Sequence, residues 1–134
     1  MLYLLDTNII SETCRPKPNQ GVIQWLKETP SEKLYISVLT IGEIRKGIEK
    51  LNDTQQKMKL IDWLDNILTE WFEDRILQID LDVAERWGCL TACYTLPAID
   101  GLLAATALVY NLQLITRNIK DFKIHDLKIL NPFV

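Results

Sequence analysis

Leu2-Tyr3-Leu4-Leu5-Asp6-Thr7-Asn8 is an apolar run that stops on a carboxylate. A run this short, apolar without alternation and followed at once by turn-forming residues, reads as a strand buried on both faces. Comparable runs follow at Leu34 to Val38, Ile76 to Ile79, Leu112 to Thr116 and Lys128 to Leu130. The long gaps between the first four carry helical periodicity. Strands alternating with helices predict an α/β domain. Its mostly parallel central sheet of four to five strands is covered by helices on both faces.

The helical stretches have readable starts and faces. Asn19 is placed to cap a helix through Val22-Ile23-Gln24-Trp25-Leu26, which must stop before Pro30. From Thr40 onward, Ile41, Ile44, Ile48 and Leu51 form one apolar side, while Glu43, Lys46, Gly47 and Lys50 share another. Thr54 to about Phe72 predicts one longer amphipathic helix with Leu60, Leu64, Ile67, Leu68 and Trp71 as its stripe. Asp80 or Asp82 caps the next helix, which runs through Trp87 and Cys93. Pro97 leads into a helix from about Ile99 to Tyr110 that is apolar almost all round, and such a helix is buried.

The 134 residues fit a single domain spanning 1–134, large enough to form a core without disulfide or zinc staples. A net charge of −3 argues against a general nucleic-acid coat. The distribution says more than the sum. From Asp62 to Glu85 there are eight acids and one base, whereas Arg15, Lys17, Arg45, Lys46, Lys50, Arg117, Lys120 and Lys123 lie in or near the polar signatures. No apolar stretch reaches the roughly 20 residues of a membrane span. The N-terminus lacks the basic start and long apolar region of a secretory signal. Cys89 and Cys93, four apart in a helical pattern, suit neither a redox pair nor a zinc knuckle. They read as partly buried thiols of a cytoplasmic protein.

Four signatures carry candidate chemistry. Asp6 ends the first strand, Glu43 lies early in a helix, Asp100 begins the apolar helix, and Asn118 and Asp121 follow the fourth strand. Strand ends and helix starts meet at one edge of an open α/β sheet, so these oxygens can converge. Unpaired carboxylates in one cleft repel one another unless a cation joins them, and oxygen-only ligands favour a hard divalent ion, Mg²⁺ or Mn²⁺. Each residue also has a plain structural reading. Asp6 serves as an Asx turn, Glu43 as a surface acid paired with Lys46 or Lys50, Asp100 as a helix N-cap, and Asn118 and Asp121 as loop polarity or caps. Ala104 and Ala107, on the Asp100 face, leave room for a ligand or a closely packed neighbour. His125, the only histidine, sits in a polar turn and reads as solvated. Histidine-based zinc chemistry therefore has no support.

Taken together, the blocks Leu4-Leu5-Asp6-Thr7-Asn8-Ile9-Ile10-Ser11-Glu12, Ser37-Val38-Leu39-Thr40-Ile41-Gly42-Glu43-Ile44-Arg45-Lys46-Gly47-Ile48, Leu96-Pro97-Ala98-Ile99-Asp100-Gly101-Leu102-Leu103-Ala104-Ala105-Thr106-Ala107 and Thr116-Arg117-Asn118-Ile119-Lys120-Asp121-Phe122 resemble the PIN-domain ribonucleases. The likeness is strongest to VapC-type toxins of toxin–antitoxin pairs. It implies a single PIN domain over 1–134, a PIN-like three-layer sandwich, and a Mg²⁺- or Mn²⁺-dependent endoribonuclease, a hydrolase of the 3.1 class. In that frame Asp6 and Asp100 are metal ligands, Glu43 is the third acid and Asn118 takes the fourth acidic or amide place. Thr7, Thr116 and Asp121 line the outer shell, and Arg117, Lys46 and Arg15 hold RNA phosphates. The resemblance further implies a homodimer and a VapB-like antitoxin that alone binds operator DNA.

Two rivals stand beside this reading. A haloacid-dehalogenase-like phosphoryl-transfer enzyme also starts from an Asp at a strand end, but needs a second Asp two residues on, where this chain has Asn8. A noncatalytic PIN-fold module would grip RNA or a partner without turnover.

Overall fold

Five strands form one sheet in the computed structural model of residues Met1–Val134: β1 (Leu2–Leu5), β2 (Leu34–Ser37), β3 (Ile76–Leu77), β4 (Leu112–Ile115) and β5 (Ile129–Leu130). Their order is β3-β2-β1-β4-β5, and every pairing is parallel. The predicted third and fifth strands are shorter than the apolar runs suggest. Both lie at edges, where pairing on one side only ends the ladder sooner.

The helices are α1 (Thr7–Glu12), α2 (Gln20–Glu28), α3 (Val38–Glu49), α4 (Thr54–Asp62), α5 (Thr69–Trp71), α6 (Leu81–Cys93) and α7 (Ala98–Val109). Successive residues of a strand point to opposite faces, and β1 shows the consequence. Leu5 packs with Ile9, Val22, Ile44, Leu64, Leu68 and Phe72 on one side. Leu4 packs with Val83, Leu90, Leu103, Ala104 and Leu114 on the other. The result is the expected three-layer sandwich. No single helix is long and apolar enough to cross a membrane.

Local chemistry sets the helix starts. Asn19 caps α2, its Oδ1 accepting from the N–H of Gly21 (3.0 Å) and of Val22 (3.4 Å). Asp80, rather than Asp82, caps α6 by accepting from Val83 N–H at 2.9 Å. α3 starts at Val38, two residues before the predicted start. Ser37 supplies the cap there, its Oγ accepting from Leu39 N–H at 3.0 Å.

The predicted long helix from Thr54 differs in one respect. Between α4 and α5 the chain is π-wound over Trp63–Leu68. The wider i→i+5 turn rotates Ile67 off the predicted stripe, leaving it 55% exposed while Leu64 and Leu68 stay in the core. The cysteines also depart from expectation. Cys89 and Cys93 do ride on α6, but on its outer face, and both thiols are free and exposed. The inner face of α6 is already filled by Val83 and Leu90.

The C-terminus is strapped across α2. Asn19 Nδ2 donates to Val134 O (2.9 Å), and Asn19 Oδ1 accepts from Val134 N–H (3.1 Å). Gly21 makes the crossing possible, because a Cβ there would lie 2.3 Å from Pro132 O and 2.8 Å from the Val134 side chain. Alanine in an open helix position gains up to about 1 kcal/mol over glycine. At position 21 the backbone obstruction outweighs that gain. Gly21→Ala is expected to destabilise the protein by about 1–3 kcal/mol, read as a lowered urea midpoint.

Candidate active site

Sheet topology creates the site. The chain leaves β1 toward β2 on one side and returns through β4 on the other, so a crevice opens where the strand order reverses, outside the carboxyl ends of the parallel strands. Asp6 follows β1 directly, and Thr116 follows β4. Their neighbouring backbones are locked by Asp6 N–H donating to Ile115 O at 2.9 Å.

Asp6 is 7% exposed and ringed by donors. Its Oδ1 accepts from Thr7 N–H (2.7 Å), so Asp6 acts as the N-cap of α1 and not through the expected Asx-turn bond to the second residue on. Its Oδ2 accepts from Thr116 Oγ1 (2.8 Å) and Asn8 Nδ2 (3.3 Å). Thr116, fully buried, uses its whole hydroxyl capacity. It donates to Asp6 and accepts from Asn8 Nδ2 (3.4 Å) and Asn118 N–H (3.1 Å). Burial pushes the Asp6 carboxyl above its ordinary range, against the opposing bonds from Thr116, Thr7 and Asn8, and Glu43 adds to the rise.

Asp100 is the third residue of α7 and not its cap. The capping position belongs to Pro97, and no side chain caps the helix. The structure thereby removes the N-cap reading of Asp100. Its carboxyl is raised first by burial and then by the charges of Asp6, Asp121 and Glu43. Asp6 and Asp100 repel each other, and neither carboxylate has a basic partner to relieve the repulsion. Ala104 and Ala107, at 0% and 1% exposure, admit closely packed neighbours and no ligand.

Glu43 projects from α3 and is held by Thr7, whose Oγ1 donates to Glu43 Oε1 at 2.5 Å and lies 3.2 Å from Thr40 Oγ1. It pairs with neither Lys46 nor Lys50, so its surface ion-pair reading is absent. Asp6, Glu43, Asp100 and Asp121 make no salt bridge; the chain's ion pairs lie elsewhere. No three of the acids stand at metal-ligand spacing. The shared feature is a set of carboxylate oxygens that repel one another without a neutralising cation. That donor chemistry fits a hard divalent ion held by Asp6 and Asp100, with Glu43 beside it.

The fourth signature is rearranged. Asn118 is exposed and reaches the cluster through its backbone N–H, while its side chain caps nothing. Asp121, in the turn Ile119–Phe122, is the residue whose charge acts on Asp100. Asn8 was not among the expected site residues. It donates to Asp6 and Thr116 and accepts from Arg117 N–H at 3.2 Å, joining the ends of β1 and β4. Its place two residues beyond the strand-ending Asp was the available signal.

Of the three candidate phosphate binders, Lys46 makes no ion pair. Arg117 stacks its guanidinium on the Phe133 ring, 4.9 Å from the centroid. Arg15 lies 3.6 Å from the buried Glu12, which leaves its charge partly compensated. His125 is exposed beside Asp126, as expected of a solvated histidine.

Comparison with known proteins agrees with this architecture. The chain is 35% identical to Toxin FitB of Neisseria gonorrhoeae over 98% of its own length and 99% of that protein's. It is 28% identical to VapC ribonuclease Y4jK of Sinorhizobium fredii, covering 98% of each. The crystal structure of FitAcB from Neisseria gonorrhoeae superposes with a TM-score of 0.91 at 35% identity, covering 98% of both chains. A toxin-antitoxin complex from Klebsiella pneumoniae gives 0.73 at 30% identity, again over 98% of both. The family model described as PIN domain matches residues 3–126, and with the strand order and acidic crevice already in place, this chain belongs to the PIN domain family.

Proposed function

We propose that this protein is a Mg²⁺- or Mn²⁺-dependent endoribonuclease, the toxin of a toxin–antitoxin pair. The observation that carries the reading is the set of carboxylates from three distant segments, Asp6, Glu43 and Asp100, sharing one crevice with no basic partner. Its fit to the family's relatives named toxin and ribonuclease supports the biological role.

When bound, the divalent ion supplies Lewis-acid polarisation and a lowered water pKa. The protein's own groups do the rest. Asp6 and Asp100 would hold the ion. Glu43, oriented by Thr7, would take a proton from the attacking water or position it. Thr116 and Asn8 fix the Asp6 carboxylate, and Lys46 and Arg117 attract the RNA backbone. Asp121 stands in the outer shell. An antitoxin of the VapB type covers this crevice and carries operator DNA binding, and the toxin works as a homodimer.

The test is cleavage of total cellular RNA by the purified protein with Mg²⁺ or Mn²⁺, against an EDTA control, with cut sites mapped. Discrete metal-dependent cuts are expected. Metal binding with no cut in any RNA would instead favour a noncatalytic module. No observation favours a haloacid-dehalogenase-like enzyme, since Asn8 presents its amide N–H to Asp6 and offers no second carboxylate. Thr116→Val removes the hydroxyl that donates to Asp6, and is expected to reduce cleavage by about 10–100-fold in a folded protein. Unchanged cleavage by this variant would show that Asp6 is positioned without it.

A further inference from the structure

Two arginines of this chain stack on aromatic rings, and they use the stack differently. Arg75 lies 5.2 Å from the Phe72 ring centroid and spends its guanidinium N–H groups on the carbonyl oxygens of Ser31, Leu34 and Trp71. It staples the start of β2 to the end of α5. Arg117 lies 4.9 Å from the Phe133 ring centroid, yet its guanidinium enters no ion pair and no hydrogen bond. Only its backbone N–H is engaged, by Asn8 Oδ1 at 3.2 Å. A long side chain is costly to order, and a carboxylate that orders an arginine also cancels its charge. A ring face orders the guanidinium and leaves both the charge and the in-plane donors available.

The ring is itself held in place. Residues 131–134 follow β5 without regular structure, but they are tied down at each end. Phe133 N–H donates to Asn131 Oδ1 at 2.9 Å, and Val134 is bonded to Asn19 through both its N–H and its carbonyl. The half-buried Phe133 side chain packs against the layer of Leu5, Ile9 and Val22.

Position connects this pair to the crevice. Arg117 follows Thr116, whose hydroxyl donates to Asp6, and its N–H rests on Asn8, which also donates to Asp6. Phe133 packs on the α1–α2 side of the sheet, whereas α7, which carries Asp100, packs on the other. The stacked guanidinium is therefore held on the α2 side, across the sheet from Asp100.

We infer that Phe133 is a positioning residue, which holds the Arg117 guanidinium charged and with its donors unspent for an RNA phosphate on the α2 side of the acids. The inference rests on the ribonuclease reading, in which Arg117 attracts the RNA backbone, and adds to it Phe133 and the segment that anchors the ring. Arg117 presents its planar fork to the phosphate, while Phe133 acts only through Arg117.

Equilibrium binding of a labelled single-stranded RNA oligonucleotide to the full chain in EDTA tests this without turnover. Phe133→Leu keeps an apolar side chain against the core and removes the ring. It is expected to weaken binding about two- to fivefold, and Phe133→Tyr is expected to restore it. Arg117→Ala should flatten the fall of log K with log[salt] by about 0.7, the share of one phosphate. Adding Phe133→Leu to Arg117→Ala should then change nothing further, because the two residues act as one unit. With Mg²⁺ and an RNA whose cut site has been mapped, Phe133→Leu should raise KM by the same factor at similar kcat. Replacing Phe133 by pentafluorophenylalanine keeps the shape of the ring and reverses its quadrupole, so it should weaken binding likewise even if Phe133→Leu does not fold. An affinity loss from Phe133→Leu that persists in full on the Arg117→Ala background overturns the inference, since Phe133 would then act through the fold or on RNA directly. Wild-type binding by Arg117→Ala, or by the folded Phe133 variants, overturns it too. In each of these cases a wild type that cuts RNA leaves the ribonuclease reading standing. If the wild type neither binds nor cuts RNA, both readings fall.

Discussion

Asp100→Asn is expected to lower metal-dependent RNA cleavage by about a thousandfold or more while making the folded protein more stable at neutral pH. The activity loss follows from removing one of the two anionic oxygens proposed to hold the ion. Metal assistance supplies several kcal/mol of transition-state stabilisation, and each 1.36 kcal/mol is about a tenfold change in rate. The stability gain follows from the site's electrostatics. Burial, with repulsion from Asp6, Asp121 and Glu43, raises the Asp100 carboxyl above its unfolded value. Between the unfolded and the raised value, the native state binds more protons than the unfolded state. Stability therefore falls as pH rises through that window, and the cost is fully present above it. Without divalent ions, the wild type should gain urea resistance on mild acidification. Asp100→Asn should begin from the higher level and respond less. Asp6→Asn should lose cleavage to a similar extent without the stability gain, because it disturbs the bonds from Thr116 and Asn8. Cleavage retained by a folded Asp100→Asn protein would remove Asp100 from the metal site.

Leu5→Ala should cost about 2–5 kcal/mol, a large share of the roughly 5–15 kcal/mol that holds a domain of this size together. Leu5 is fully buried in the central strand, packed against α1, α2, α3 and the π-wound segment. A cavity there has rigid walls on the sheet side and can collapse little. The change also lies next to Asp6, so part of the activity should be lost at temperatures where the variant remains folded. An unfolding free energy within about 0.5 kcal/mol of the wild type, at unchanged m-value, would mean that the layer relaxes freely around the missing methyl groups.

Much of the layout was readable from residue order. Short unalternating runs such as Leu2 to Leu5 signal strands buried on both faces, and Asn19 was visible as a cap because its side-chain oxygen acts within two or three residues, whereas the choice of Asp80 over Asp82 needed the structure. Asp6, Glu43 and Asp100 stood out because those acids sit at strand ends and helix starts, and the resemblance to PIN-domain toxins implied roles for them. What failed was information held between segments. The outward turn of Ile67 depends on π-winding, and the exposure of Cys89 and Cys93 depends on which face of α6 the sheet takes. The small side chains of Ala104 and Ala107 were compatible with a ligand or a neighbour, and only packing chose the neighbour.

The sequence by itself determined the class of fold, the strand order's raw material and the acids available for chemistry, because burial patterns and caps act over a few residues. The tertiary structure alone decided how those acids relate. It braced Asp6 with Asn8 of α1 and with Thr116 just beyond β4, set Asp6 and Asp100 close enough to repel, and tied Glu43 to Thr7. It brought the charge of Asp121, more than the side chain of Asn118, to bear on the crevice. Those outcomes depend on distances between residues up to 110 positions apart, which only the packed sheet and its covering helices fix.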